Sequence, residues 1–179
     1  MGRILKLARM GHPVLREKSH NVISPSDFET QQTIADMLAT MENYGLLTGL
    51  AAPQVFIPKR IVIFSLPKER SRGTVEEDIP LTIMINPVID VLDQELISDW
   101  ESCLSLPSLM GKVPRYKSIR YHYLTPTGEK IMREASFHHA RVVQHECDHL
   151  DGILFPQRMI DMTSFSFREE AEKYLLKHK

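Results

Sequence analysis

Two histidines four residues apart, His145 and His149, bracket the run His145-Glu146-Cys147-Asp148-His149. On an α-helix residues four apart stack on one face, so both imidazoles can reach a single metal ion with Glu146 beside it. The chemistry implied is hydrolysis by a water activated at the metal, with Glu146 as the proton shuttle. Two imidazoles are too few, because a catalytic site normally takes three protein ligands. An HExxHxxGxxH continuation holds as far as Gly152 and then fails, since Phe155 stands where the third histidine would be. A glutamate from a later helix would be Glu169, Glu170 or Glu172, whose alternative reading is a solvated helix face. A thiolate from upstream would be Cys103, within Glu101-Ser102-Cys103-Leu104-Ser105.

These residues need a helix beneath them. Ser136 is placed as an N-cap, Phe137 to Leu150 contains neither Gly nor Pro, and Gly152 stands where a left-handed C-terminal residue is wanted. His138, Val142, His145 and His149 share one face, so whatever sits at the metal also meets Val142 and His138. Earlier in the chain, Pro25-Ser26-Asp27 opens a second helix with a core stripe of Phe28, Ile34, Met37, Leu38 and Met41, ended by Gly45. Arg60 to Leu66 reads as a strand, Pro67 to Asp78 as a charged surface loop, and Leu81 to Ile97 as an apolar, β-branched block. Ile119 to Thr125 and Lys130 to Glu134 form a hairpin around Pro126-Thr127-Gly128. Phe165 onward reads as a last helix, with Lys177, His178 and Lys179 at its end. The expected fold is α+β, with antiparallel strands packed around a central metal-binding HExxH helix and with an N-terminal and a C-terminal helix.

At 179 residues, with 42% hydrophobic and 25% charged residues, the chain is expected to bury an ordinary globular core. A net charge of −1 gives no basic field for nucleic acid as the principal ligand. No leading apolar run suggests a signal peptide, no stretch is long enough to span a membrane, and Lys6 stands where a myristoylation signal needs Ser or Thr. Cys147 points to the other side of the helix from the two histidines, so pairing with Cys103 is not expected and a reducing, cytoplasmic setting is.

Three ordered runs, Leu47 to Gln54, Glu101 to Ser105 and Gln144 to Gly152, resemble the motifs of the peptide deformylases. GxGxAAxQ is echoed by Leu47-Thr48-Gly49-Leu50-Ala51-Ala52-Pro53-Gln54, EGCLS by Glu101 to Ser105, and QHExxHLxG by Gln144 to Gly152. Ile85-Asn86-Pro87 and Val113-Pro114-Arg115 add lesser matches, and the likeness runs from about His12 to Met159. The resemblance implies one catalytic domain over residues 1–179, with Cys103, His145 and His149 holding one divalent metal. In that family the metal is commonly Fe2+, with Zn2+, Ni2+ or Co2+ as substitutes, and water takes the fourth position. It implies Glu146 as acid–base residue, and Gln54 with the backbone N–H of Leu104 as donors to the oxyanion. It also implies an N-formyl-methionyl peptide as substrate, released as formate and a free amino terminus. That peptide would add in strand fashion to the loop that holds Leu47 and Gly49, with Val142, Thr48 and His138 as candidates to line the methionine pocket; the alternative reading of His138 is a surface or capping group. The partner is then the nascent N-formylated polypeptide, with contact to the ribosome through the terminal helix as an open possibility.

Two residues depart from the motifs: Leu47 replaces the first glycine of GxGxAAxQ, and Ser102 the glycine of EGCLS. Both are expected to flank the cleft, where an added side chain narrows it or shifts the bound peptide. The alternatives are a deformylase-like paralogue of weak activity or other N-acyl substrate, an HExxH zinc endopeptidase with a glutamate ligand, and a catalytically silent metal-stabilised binding protein. Glu101 and Arg115 read either as a pair orienting the cysteine segment or as a surface ion pair. Asp148 reads as support for a ligand or, in preference, as solvated, and Trp100 as packing or cleft rim.

Overall fold

The computed structural model describes residues 2–45, 48–74 and 78–176. Helix α1 spans Phe28–Asn43, and the Asp27 carboxylate caps it by accepting the Thr30 N–H at 2.6 Å. Ile34, Met37 and Met41 of its stripe are buried, but Phe28 is 83% exposed. At the first helical position the side chain leans back past the N-terminus, beyond the core that the later turns cover.

Five antiparallel strands form one sheet in the order β1-β2-β3-β6-β7, with β1 Gly49–Ala51, β2 Ile61–Leu66, β3 Ile79–Val91, β6 Ser118–Leu124 and β7 Lys130–Ser136. A second sheet, in the order β4-β5-β8, contains β4 Leu96–Cys103, β5 Leu106–Tyr116 and β8 Ser166–Phe167. The apolar block Leu81 to Ile97 is therefore divided between the sheets, at a turn where the Asp93 carboxylate accepts the Glu95 N–H at 2.9 Å. The β6–β7 hairpin forms as expected, from Ser118↔Ser136 to Leu124↔Lys130. Strand β5 is an addition. It pairs with β4 from Leu96↔Tyr116 to Cys103↔Leu106, which puts Cys103 at the mouth of a tight hairpin.

Helix α2, Phe137–Leu150, packs on β1, β2, β5 and β7. Its Ala140, Val143, Cys147 and Leu150 join Phe64, Met84 and Tyr121 in the largest core, leaving the histidine-bearing face for the other side. The Gln144 side chain grips β5 twice, accepting the Tyr116 N–H at 3.0 Å and donating to the Tyr116 carbonyl at 2.9 Å. Ser136 occupies the N-cap position without capping through its side chain; its hydroxyl is 2.9 Å from that of Ser118. Gly152 ends the helix at φ +72°, and a Cβ there would lie 2.5 Å from the Arg16 carbonyl oxygen, so both backbone conformation and space demand glycine.

The C-terminal helix expected from Phe165 starts later, at Arg168. Ser166–Phe167 is drawn into the sheet by β5, α3 covers only Arg168–Glu170, and a π-helical turn follows over Ala171–Leu175. Ala171 alone of that stretch is buried, beside Trp100 and Met110, so little apolar area holds a longer helix down. Lys177, His178 and Lys179 lie outside the described residues. Among the described residues no helix is long and apolar enough to cross a membrane.

Candidate metal centre and active site

The β4–β5 hairpin delivers Cys103, and α2 delivers His145 and His149. One potential ligand atom from each lies within 4.8 Å of the other two. Cys103 Sγ is 3.3 Å from His149 Nε2, and the imidazole centroids are 5.1 Å apart. Glu101 Oε2 lies 2.8 Å from His145 Nδ1, and an N–H there leaves Nε2 as the free nitrogen. Burial opposes a charge on the cysteine sulfur, yet His149 and His145 hold the Cys103 thiol well below its usual range. Burial opposes the imidazolium as well, and Cys103 and Glu101 hold His145 well above the ordinary histidine value. A thiolate and two imidazoles suit a borderline divalent ion, and His149 turns Nε2 toward the Cys103 sulfur. The donor set fits a metal. Glu169, Glu170 and Glu172 are exposed and stand apart from this cluster.

Buried charges lock the centre from behind. Glu101 accepts from Arg115 Nε and Nη2 at 2.9 and 3.0 Å and from Arg141 Nη1 at 2.7 Å. Burial works against its charge, but the His145 and Arg115 hydrogen bonds hold the carboxyl far below the usual range. Glu101 and Arg115 are 6% and 5% exposed, so the surface-pair reading is corrected to a buried pair. Asp148 is corrected too: it is buried rather than solvated, and it binds Arg115 and, at 2.7 and 3.1 Å, Arg158. The chain of charges from Arg158 through Asp148, Arg115 and Glu101 ends on His145.

Glu146 faces the same cavity, buried, with Oε2 lacking a hydrogen-bond partner among the described residues. Burial raises its carboxyl, and the two histidines offset this only in part. Opposite it, Gln54 is held by its own Oε1, which accepts the Ala51 N–H at 2.8 Å. Its Nε2 is thereby turned toward Cys103 Sγ at 3.4 Å and Ser105 Oγ at 3.3 Å. The cavity, about 490 Å3, brings together Cys103, His145, Glu146, Gln54, Leu104, Gly49, Thr48, Val142 and His138. Leu47 lies outside the described residues. Gly49 has a reason beyond backbone access for a substrate: a Cβ there would collide with the Glu146 carboxylate.

Three lining arginines went unread in the sequence. Arg141 sits between His138 and Val142 on the helix, and an arginine in an otherwise buried stretch was the available signal. Arg72 and Arg168 lie in segments whose charge alone marks them as surface, and nothing in spacing points them to the cavity.

The sequence model of the polypeptide deformylase family matches residues 4–165. The chain belongs to that family. It is 41% identical over 169 residues to peptide deformylase 1 of Prochlorococcus marinus, covering 94% of this chain and 88% of that protein. It is 50% identical over 142 residues to peptide deformylase 2 of Pseudomonas putida, covering 79% and 78%. Among solved structures, the class I type b peptide deformylase of Acinetobacter baumannii with Met-Ala-Ser bound has a TM-score of 0.80 and 34% identity, over 89% of this chain and all of that one. The Thermotoga maritima deformylase gives 0.78 at 33% identity, over 88% and 99%.

Proposed function

We infer that this cavity is where the deformylase removes the formyl group from the N-terminal formyl-methionine of nascent polypeptides, releasing formate. The observation that carries the reading is the cluster of a thiolate-prone cysteine and two imidazoles, Cys103, His145 and His149, at a cavity that also holds a buried carboxylate with an oxygen unpartnered among the described residues and an amide N–H positioned by its own anchored oxygen.

Cys103, His145 and His149 would hold one divalent ion, Fe2+ in the family's usual form, with Zn2+, Ni2+ or Co2+ as substitutes. Bound there, the ion supplies Lewis acidity toward the formyl carbonyl and the attacking water. Glu146 takes the proton of that water and passes it to the leaving amine, a task suited to a carboxyl whose affinity for protons burial has raised. Gln54 Nε2 and the N–H of Leu104 donate to the oxygen on which negative charge develops. Gln54 needs little reorganisation for this, because its Oε1 is already anchored to Ala51. Glu101 keeps His145 oriented, and Arg115 and Arg141 keep Glu101 charged.

The peptide takes an extended path along β1, which among the described residues has β2 as its one strand neighbour. Thr48 and Gly49 line that path, with Val142 and His138 beside the methionine. In this reading α2 is the element around which the strands are organised, and residues 1–179 act as one catalytic domain. Two free cysteines, Cys147 pushed well above the usual thiol range by burial, suit a reducing cytoplasm.

The test is metal content and formate release on protein purified without oxygen. Formyl-Met peptides should yield formate with one equivalent of divalent metal per chain. Cys103→Ala should lose both tight metal and activity, because two imidazoles alone bind weakly. Retained stoichiometric metal in Cys103→Ala, with loss on substituting Glu169, Glu170 or Glu172, would replace this reading with the endopeptidase-like one.

A further inference from the structure

Three guanidinium groups line the cleft, and two of them are already spent. Arg72 pairs with Asp99 and donates to the Trp100 carbonyl at 3.0 Å, and Arg141 pairs with Glu101 at 2.7 Å. Arg168 differs. Its Nη2 donates to Ser102 Oγ at 2.8 Å, and among the described residues no carboxylate stands within ion-pairing distance of it. A neutral hydroxyl satisfies one of its donors and none of its charge.

Its position is built. The pairing of β8 with β5, Leu109↔Phe167 and Met110↔Ser166, fixes the backbone just before Arg168. Ala171, buried against Trp100 and Met110, fixes it just after. Ser102 adjoins Cys103 on β4, so the guanidinium is anchored one residue from a candidate metal ligand. Ser102 is also where the family motif has glycine, and glycine has no acceptor to offer. Ser102 lines the cleft, and its hydroxyl also seats a cation on the cleft wall.

We propose that Arg168, seated on Ser102, is a specificity-determining residue that pairs with a carboxylate of the peptide downstream of its formylated residue. This rests on the deformylase reading of the cavity and adds a preference among its substrates. The carboxylate has two sources, an acidic side chain at the third residue and the terminal carboxylate of a tripeptide. A planar guanidinium fits either one bidentately, and its weak hydration lowers the cost of pairing at a half-open rim.

The experiment is steady-state kinetics on the metal-loaded full chain, at low salt, about 0.05 M NaCl, and again at about 0.5 M, a tenfold rise that contracts the Debye length about threefold. One substrate pair is formyl-Met-Ala-Glu-amide against formyl-Met-Ala-Gln-amide; the other is formyl-Met-Ala-Ser as free acid against its amide. The wild type should favour the anionic member of at least one pair by about three- to tenfold in kcat/KM at low salt, and salt should shrink that ratio. The first pair reports a side-chain source and the second a terminal one. Arg168→Gln should bring the ratio close to one, Ser102→Gly should lower it, and Arg168→Glu should turn the preference toward formyl-Met-Ala-Lys-amide. Ratios near one in the wild type, or ratios that survive Arg168→Gln, would overturn the proposal while leaving the deformylase reading in place. Absence of formate from every peptide would overturn both.

Discussion

Gly49 and Glu146 occupy adjoining space so closely that no side chain fits on the first without moving the carboxylate of the second. The glycine sits on β1 and the glutamate on α2, so a contact between sheet and helix sets where the proposed proton shuttle stands. Gly49→Ala should retain metal, since neither residue is a proposed ligand, and should lose on the order of a hundredfold in kcat/KM, the scale of a misplacement of about 1 Å. Glu146→Ala should also keep metal and lose roughly two to four orders of magnitude. Metal analysis beside formate kinetics checks both. A Gly49→Ala enzyme of wild-type efficiency would mean that Glu146 works equally well from a displaced position.

The charge on Glu101 is shared among His145, Arg115 and Arg141, so its removal should reach the metal without touching a ligand. Glu101→Gln keeps the shape and removes the charge that favours an N–H on His145 Nδ1. Metal affinity should fall about 10–100-fold, the usual cost of losing a partner that orients a ligating histidine. Competition with a chromogenic chelator measures this. Arg158→Ala, at the exposed end of the same chain of charges, should cost far less. Equal losses in the two variants would show that the network acts through general stability rather than through His145.

How much of this was legible in the residues depended on range. The α2 helix declared itself through the i,i+4 histidines, the gap free of Gly and Pro, and the stop at Gly152. The α1 cap and the β6–β7 hairpin are equally local. Strand β5 was hidden because Pro107, Gly111 and Pro114 interrupt its pattern, and it is held by pairing with β4. The buried status of Asp148, Glu101 and Arg141 was hidden for a related reason. Charged residues are buried only when paired, and these pairs join residues 10 to 40 positions apart. The C-terminal segment carries helix-forming residues, yet the open edge of β5 outcompeted them at Ser166–Phe167.

The proposed iron form has a chemical weakness that follows from its ligands. A thiolate beside Fe2+ exposes both metal and sulfur to oxidation, and Cys103 lines the open cavity rather than lying in the core. Activity of the iron enzyme should decay in air and persist under argon, whereas the nickel enzyme should persist in both. Mass spectrometry of the aged iron enzyme should find added oxygen on Cys103 and not on Cys147, which is buried with its thiol held protonated. Matching lifetimes for the two metals in air would remove iron's special vulnerability from the account.

His139, one position from the cavity-lining His138, titrates for stability rather than for chemistry. It is 6% exposed, with Nε2 3.1 Å from Tyr121 Oη, and burial, with Arg133 nearby, holds it down to about 4. Unfolded, the same imidazole takes a proton near its ordinary value of 6.5. As pH falls from about 6.5 toward 4 the unfolded chain gains a proton that the folded protein refuses, so stability falls across that window and this loss levels off below it. The full effect is on the order of 3 kcal/mol. His139→Gln keeps a polar group near Tyr121 and removes the titration. It should be less stable than wild type at pH 7.5, because the packing is imperfect, and the gap should close or reverse by pH 4.5. Urea unfolding of both proteins at several pH values measures this, and loss of the metal ligands on acidification cancels because it is common to both. A gap that stays constant between pH 7.5 and 4.5 would show that His139 accepts its proton in the folded protein as easily as in the unfolded chain.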